Sequence, residues 1–168
     1  WVQVLDIATN TGIAPALRLG VDAVESEYFL VVDADDLIAR DAVDCLTRFA
    51  AENDSPDIVY SDECILIDDA PRLIYCREPF DPVLHADSSA IWHTIAVRKA
   101  ALDLDKFLSV EDTQFATDWE FIANARDNAD ARVSHCPQAL YFWRQHGASI
   151  SNNETGDDRS VKSQRAVL

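Results

Sequence analysis

The chain has 168 residues and a mass of 18.7 kDa, the size of one ordinary domain with one sizeable core. Apolar residues make up 48%, which excludes a disordered tail or a low-complexity linker. Lys and Arg number 14 against 30 Asp and Glu, a formal net charge of −16; nucleic acid or an anionic membrane is excluded as a broad electrostatic partner, while a single phosphate site held through a metal is not.

Residues 2–7 alternate and are β-prone, which predicts a first strand. Residues 13–24 place Ala14, Leu17, Val21 and Val24 at helical spacing. Residues 28–32 form a continuous apolar run, as in a strand buried on both faces of a parallel sheet, and the run stops at Asp33-Ala34-Asp35-Asp36. A second amphipathic helix is predicted over 39–52, with Ala42, Val43, Leu46, Phe49 and Ala50 on one face. Residues 57–60 predict a short strand ending in Ser61-Asp62-Glu63. Such alternation of strand and helix implies right-handed crossovers and a parallel sheet. Ligands in such sheets sit at the carboxyl ends of the strands, where both acidic clusters fall.

The second half has a different character. Residues 65–67 and 73–75 look like a hairpin, 78–82 a loop, and 89–97 either strand or helix. Residues 117–129 predict a helix opened by the capping-box pattern Thr117-x-x-Glu120. Residues 132–135 and 139–143 predict two strands split by Pro137, and 157–168 the start of a helix. No internal repeat or Pro/Gly/Ser-rich linker interrupts the chain, which reads as one domain over 1–168.

No stretch approaches the ~18 apolar residues of a membrane span, and no secretory leader is visible. The chain has no Met and begins at Trp1, so it reads as a piece of a longer protein. Cys45, Cys64, Cys76 and Cys136 form no C-x-x-C pair and read as reduced, which places the protein in the cytoplasm.

Four segments can carry chemistry. Asp33-Ala34-Asp35-Asp36, at the exit of a buried strand, offers hard oxygen ligands to Mg²⁺ or Mn²⁺; the alternative is an N-cap cluster for the following helix, with Asp41. Asp118, in Thr117-Asp118-Trp119-Glu120, lies in a first helical turn, where an anion is favoured for structural reasons alone. Arg144 and His146 follow a predicted strand; Arg144 suits bidentate pairing with phosphate, and the alternative is an edge strand ending in a turn. His85, His93 and His135 have no ligand spacing and read as structural. Asn10-Thr11-Gly12-Ile13-Ala14 reads as a strand-to-helix turn with one essential Gly.

Taken in order, these segments resemble an inverting nucleotide-sugar glycosyltransferase of family two, with the GT-A fold. The resemblance rests on Asn10-Thr11-Gly12-Ile13-Ala14, Asp33-Ala34-Asp35-Asp36, Tyr60-Ser61-Asp62-Glu63 and Asp118-Trp119-Glu120-Phe121. It continues with His135-Cys136-Pro137, Leu140-Tyr141, Trp143-Arg144, His146 and Ser149, and so covers nearly the whole chain. The nearest subgroup in appearance is the rhamnosyltransferase-like and O-antigen polysaccharide enzymes. The implied fold is α/β, a Rossmann-like, mostly parallel sheet flanked by helices. The implied organisation is a nucleotide and metal half over about 1–64, an acceptor half over about 65–150 and a tail over 151–168, with the N-terminal nucleobase-binding strand missing.

The resemblance also implies roles. Asp118 is the catalytic base. Asn10, Asp33, Asp62, Glu63 and Arg144 bind the nucleotide sugar, and Trp119 and Glu120 the acceptor. Asp35 and His146 ligate Mn²⁺ or Mg²⁺. The partners are a nucleoside-diphosphate sugar donor and a saccharide or lipid-linked saccharide acceptor, with no nucleic acid and with peripheral membrane association through the parent protein. An inverting transfer is a single in-line displacement; it needs a general base and charge stabilisation on the departing diphosphate, and no covalent nucleophile. Two alternatives stand beside this reading. A phosphoryl-transfer enzyme of the haloacid-dehalogenase type also ends a buried strand in D-x-D, but Leu37 stands where its pattern wants Thr or Val. A degenerate transferase domain would bind sugar nucleotide, or a partner, without catalysis.

Overall fold

A computed structural model of the chain describes residues 3–87, 91, 93–107, 116–127 and 131–145, with 162 and 165; the side chains of Ala86, Asp87, Asp118, Arg126 and Asp127 are outside the description. The elements in order are α1 (Ile13–Ala23), β1 (Tyr28–Leu30), β2 (Leu37–Ile38), α2 (Ala42–Glu52), β3 (Ile58–Ile67), β4 (Ala70–Tyr75), α3 (Pro82–Asp87), β5 (Ile95–Arg98), α4 (Thr117–Asp127) and β6 (Val133–Gln145).

The strands form one six-stranded sheet in the order β1-β5-β3-β6-β2, with β4 paired to β3 off that path. β5 is antiparallel to both β1 and β3, and β3 is parallel to β6. β1, β3 and β6 therefore share one direction, as the strand–helix alternation predicts. The pairing is nevertheless mixed and not mostly parallel: among the described strands β3–β6 is the one parallel pair, because β5 enters between β1 and β3 and because β2 and β4 pair antiparallel with β6 and β3. Alternation in sequence fixes the direction of successive strands and says nothing about insertion by a strand still to come. The overall class is an α/β sheet flanked by helices.

Side-chain alternation divides the core between the two faces of the sheet. Ile58, Tyr60, Ile95 and Val97 pack with Val21 of α1 and with Phe121, Ile122 and Ala125 of α4. Val59 and Ala96 point the other way, onto Ala42, Cys45, Leu46 and Ala50 of α2 and onto Cys136 and Leu140 of β6. The sheet is thus the middle of three layers, the arrangement that buries both faces of a strand.

Several elements differ from expectation for identifiable reasons. Residues 3–7 have no regular structure and are exposed. β-propensity measures fit to a paired, half-buried surface, and among the described residues no strand pairs with them. β3 does not end before Ser61-Asp62-Glu63 but runs through it, and those three residues are buried. The hairpin forms, its turn carried by Asp68 and Asp69 with φ of 53° and 59°. Positive φ at both central residues is what the twist of a two-residue hairpin turn requires.

Pro137 does not split β6. The parallel register passes from Ser61↔Cys136 to Asp62↔Ala139 and then to Glu63↔Tyr141, so Pro137 falls in a bulge where no ladder N–H is needed. The 78–82 loop runs into a helix, α3, that starts at Pro82. Asp81 Oδ1 accepts from Val83 N–H at 2.8 Å and Leu84 N–H at 3.2 Å, and proline suits the first helical position. The 157–168 expectation lies outside the described residues except at Lys162 and Arg165, which are helical.

Candidate functional site

Beyond Leu30 the chain leaves β1 into the acidic turn and re-enters the sheet as β2. Asp36 N–H donates to Asp33 O at 3.1 Å and closes the turn. β2 then pairs with β6 through Leu37↔Phe142 and Ile38↔Tyr141. The turn therefore lies at the carboxyl ends of β1 and β6, where open α/β sheets place their ligands.

Asp36 anchors it. Its Oδ2 accepts from the Tyr141 hydroxyl at 2.7 Å and its Oδ1 from Arg144 N–H at 2.8 Å. The Tyr141 oxygen also accepts from Asp33 N–H at 3.2 Å, and Arg144 Nη1 donates to Asp35 O at 3.2 Å. The N-cap alternative for this cluster does not hold. α2 starts at Ala42, and its cap residue Asp41 makes no side-chain cap bond.

Asp33, Asp36 and His93 form the one described group of three potential ligands, with one ligand atom from each within 4.8 Å of the others. Two carboxylates and an imidazole make a donor set that fits Mn²⁺ better than Mg²⁺, which prefers oxygen and keeps its waters. Asp33 is exposed as a residue, yet its carboxyl is partly withdrawn from water. That desolvation pushes its pKa up; His93 opposes the shift, and Asp36 and Asp35 add to it. A cation would relieve this strain between neighbouring carboxylates.

Behind the turn lies a connected polar network on β3. His93 Nδ1 is 2.8 Å from Glu63 Oε2, and Arg77 Nη2 donates to Glu63 Oε1 at 2.8 Å. The neighbouring carboxylate, Asp62, accepts at Oδ1 from Arg77 N–H at 2.8 Å and lies 2.7 Å from His135 Nε2. The His93 ring stacks on Tyr141 at 4.8 Å and 3°, and the His135 ring on Tyr60 at 5.0 Å. Burial pushes the Tyr60 hydroxyl up to about 12; burial and the bond to Asp36 raise Tyr141 as well. Both stay protonated donors across the physiological range. A cavity of 540 Å³ opens beside this network, lined in part by Tyr60, Tyr75, Arg77, Glu78 and His85.

The residues singled out from sequence thus fall into distinct places. Asp33, Asp35 and Arg144 meet at the acidic turn. Asp62 and Glu63, expected at a strand end, are interior residues of β3 committed to Arg77 and two histidines. Asn10 holds the turn before α1, its Oδ1 accepting from Gly12 N–H at 3.0 Å. Trp119 is 4% exposed, with its indole N–H on His85 O at 2.8 Å, and Glu120 is also buried. The backbone places Asp118 in the first turn of α4; its side chain, and His146 altogether, lie outside the described residues. His93, read as structural, sits beside the acidic turn. A lone histidine with no partner at ligand spacing gives no signal in sequence, since its partners lie about sixty and thirty residues away.

No protein-family model matches the chain, and no curated protein matches it. Solved structures do. Residues 1–349 of S. aureus TarS in complex with UDP-GlcNAc superpose with a TM-score of 0.74 at 19% identity, covering 98% of this chain and 48% of that one. The same region of TarS gives 0.62 at 19% identity, covering 80% and 41%, and its UDP complex gives 0.59 at 20%, covering 76% and 38%. The chain spans half or less of the length of these structures. The likeness shows the fold, a GT-A-type α/β domain.

Proposed function

We propose that the chain is the donor-binding and catalytic portion of a metal-dependent, inverting family-two glycosyltransferase. It would pass a sugar from a nucleoside diphosphate to a hydroxyl acceptor, in the synthesis of a bacterial surface polysaccharide. The observation that carries this reading is the acidic turn, with Asp33, Asp36 and His93 drawn together at the carboxyl end of β1. It lies in a fold whose solved neighbours include complexes with UDP-GlcNAc and UDP.

The chain's own residues would divide the work. Asp33 would contact the ribose side of the donor, and Asp35 and His146 would ligate the cation. A bound divalent cation would supply charge stabilisation for the departing diphosphate. Arg144, whose guanidinium donates to the Asp35 carbonyl and pairs with Asp69 at 3.1 Å, would exchange the Asp69 carboxylate for a phosphate oxygen. Asp118 takes the proton from the acceptor hydroxyl as that oxygen attacks the anomeric carbon. Trp119 and Glu120 would serve the acceptor side from within the fold, since both are buried. The acceptor is a saccharide or lipid-linked saccharide. Among the described residues no helix is long and apolar enough to cross a membrane; contact with a lipid-linked acceptor would come by peripheral association through the parent protein. Reduced cysteines, all four free, suit the cytoplasm, where nucleotide sugars are made.

The test is Asp118→Asn, assayed for sugar transfer and for hydrolysis of UDP-GlcNAc and related donors with Mn²⁺. The amide is nearly isosteric and leaves the first helical turn intact, so donor affinity and melting temperature hold. Transfer falls about 10²–10⁴-fold, as expected for loss of a general base. Unchanged transfer removes Asp118 from the mechanism. Donor binding without turnover in the full-length parent would favour the non-catalytic reading.

A further inference from the structure

The acidic turn is matched by a histidine that is held unusually firmly. The His93 imidazole is fixed in its plane by Glu63 Oε2, on one face by Tyr141 at 4.8 Å, and at an angle by Trp143 at 5.2 Å. Glu63 is itself fixed from its other oxygen by Arg77; both side chains are buried, at 2% and 5% exposure. The residue that follows is strained. Thr94 has φ of 52°, in the left-handed region that a β-branched residue rarely adopts. It is 0% exposed, and its buried hydroxyl has no hydrogen-bond partner. Strain and an unsatisfied buried hydroxyl both destabilise, and they persist only where the surrounding structure holds the residue in place.

We propose that His93 is a metal-ligating residue acting through Nε2, and that Glu63, backed by Arg77, is the positioning residue that sets its tautomer and aim. With Nδ1–H donating to Glu63, Nε2 keeps the lone pair, and Asp33 and Asp36 are the two groups clustered with this ring. A carboxylate behind a metal-bound imidazole is the common way a protein fixes ring orientation and raises ligand basicity. Three of the five residues come from outside the acidic turn: His93 precedes β5, Glu63 is in β3 and Arg77 follows β4. The site is thus a property of the fold and not of a linear motif. The inference rests on the reading that a cation and a nucleoside diphosphate meet at this turn.

The test is Mn²⁺ binding to the chain, followed by calorimetry and by electron spin-echo spectroscopy, which detects ¹⁴N of a ligating imidazole. In a His146→Ala background, which removes the other candidate imidazole, the chain should show one imidazole nitrogen on Mn²⁺. His93→Ala and the milder His93→Gln, which can still bond Glu63, should lose it and bind weakly. Glu63→Gln should keep the nitrogen signal and weaken binding about 10–100-fold. His135→Gln, altered in the same network but outside the ligand group, should bind as the unaltered chain does. Persistence of the ¹⁴N signal in both His93 variants, or unchanged Mn²⁺ affinity, overturns the proposal. UDP titrated into the same samples separates the two readings. An imidazole-bound Mn²⁺ without UDP binding upholds the site and removes the nucleotide; UDP–Mn²⁺ binding unaltered by His93→Ala keeps the nucleotide and removes His93.

Discussion

Between residues 3 and 41 the strands are three and two residues long, and Ala14 and Val21 are the only buried residues. β3 and β6 run for ten and thirteen residues, and the first seven positions of β3 are all buried. One region is thinly packed and carries the acidic turn; the other is dense and carries the network beneath it. The contrast teaches how the site is made. Carboxylates that repel one another are easiest to tolerate at the surface, where water screens them. A histidine that must aim at them is best held where packing leaves one orientation. Each region supplies what the other is unsuited to.

The largest break in this contrast comes from the buried ion pair. Removing one partner leaves an uncompensated charge, so Glu63→Ala should cost about 3–5 kcal/mol by urea denaturation. Asp35→Ala in the exposed turn should cost under about 0.5 kcal/mol. Equal costs would mean that the turn is as structural as the strand. Next comes hydrophobic packing. Ile58, 0% exposed, should lose about 2–5 kcal/mol on truncation to Ala, while Leu37, 43% exposed, should lose under about 1 kcal/mol. Thermal melts of the two variants would invert that order only if β2 were a core element.

Alkaline titration sharpens the comparison. The Tyr60 hydroxyl is pushed up to about 12 in the fold, whereas in the unfolded chain it ionises near ~10. The unfolded state then binds fewer protons than the native state, so stability is lost as pH rises through that interval, by about 1.4 kcal/mol per unit. Denaturation at several pH values between 9 and 12 should show this decline, and Tyr60→Phe should make it shallower, with Tyr141, raised in the same direction, carrying the remainder. The smallest effect is on the thin side. The Asp33 carboxyl is raised above its ordinary 3.8, so its charged form is disfavoured in the fold and stability is lost as pH climbs above that value. Without metal, Asp33→Asn should therefore stabilise the chain at pH 7, by on the order of 0.5 kcal/mol given solvent screening. A fall in melting temperature would contradict that sign.

How much of this was legible follows the same division. Helical spacing around Leu17 and Val21, and around Leu46 and Ala50, locates α1 and α2 to within three residues, because a helix is specified by its own periodicity. The run at 28–32 and the acidic exit are legible for the same local reason, but β1 covers only 28–30 and is half-buried rather than buried on both faces, because it lies at the sheet edge. Strand limits are not, because they depend on partners. Residues 2–7 have β-propensity without a neighbour, and Asp62 and Glu63 look like a strand end until β6 and Arg77 are seen to accept them. Pro137 reads as a break because a bulge is visible only in the register of two strands. The start of α3 had a local signature in Asp81-Pro82, a cap residue followed by proline at the first helical position, beside a short polar stretch that reads as loop. The role of His93 requires the third dimension, since its contacts come from β3, β6 and the turn after β1.

The parallel pairing of β3 with β6 has a consequence in the order of synthesis. Ile58 meets Val133 and Ile67 meets Gln145, so the central ladder closes a loop of more than seventy residues. Tyr141, which clasps Asp36 and stacks on His93, belongs to the strand made last among these. A ribosome-bound chain therefore holds its acidic turn open until about residue 145 has emerged. Until then Asp62 of β3 lacks its His135 partner, and the β3 edge awaits its parallel neighbour. Long-range parallel pairing is slow to form, and the interval before it closes is when such an edge is most exposed to other chains. Binding competence should arrive in one step, late, with the completion of β6.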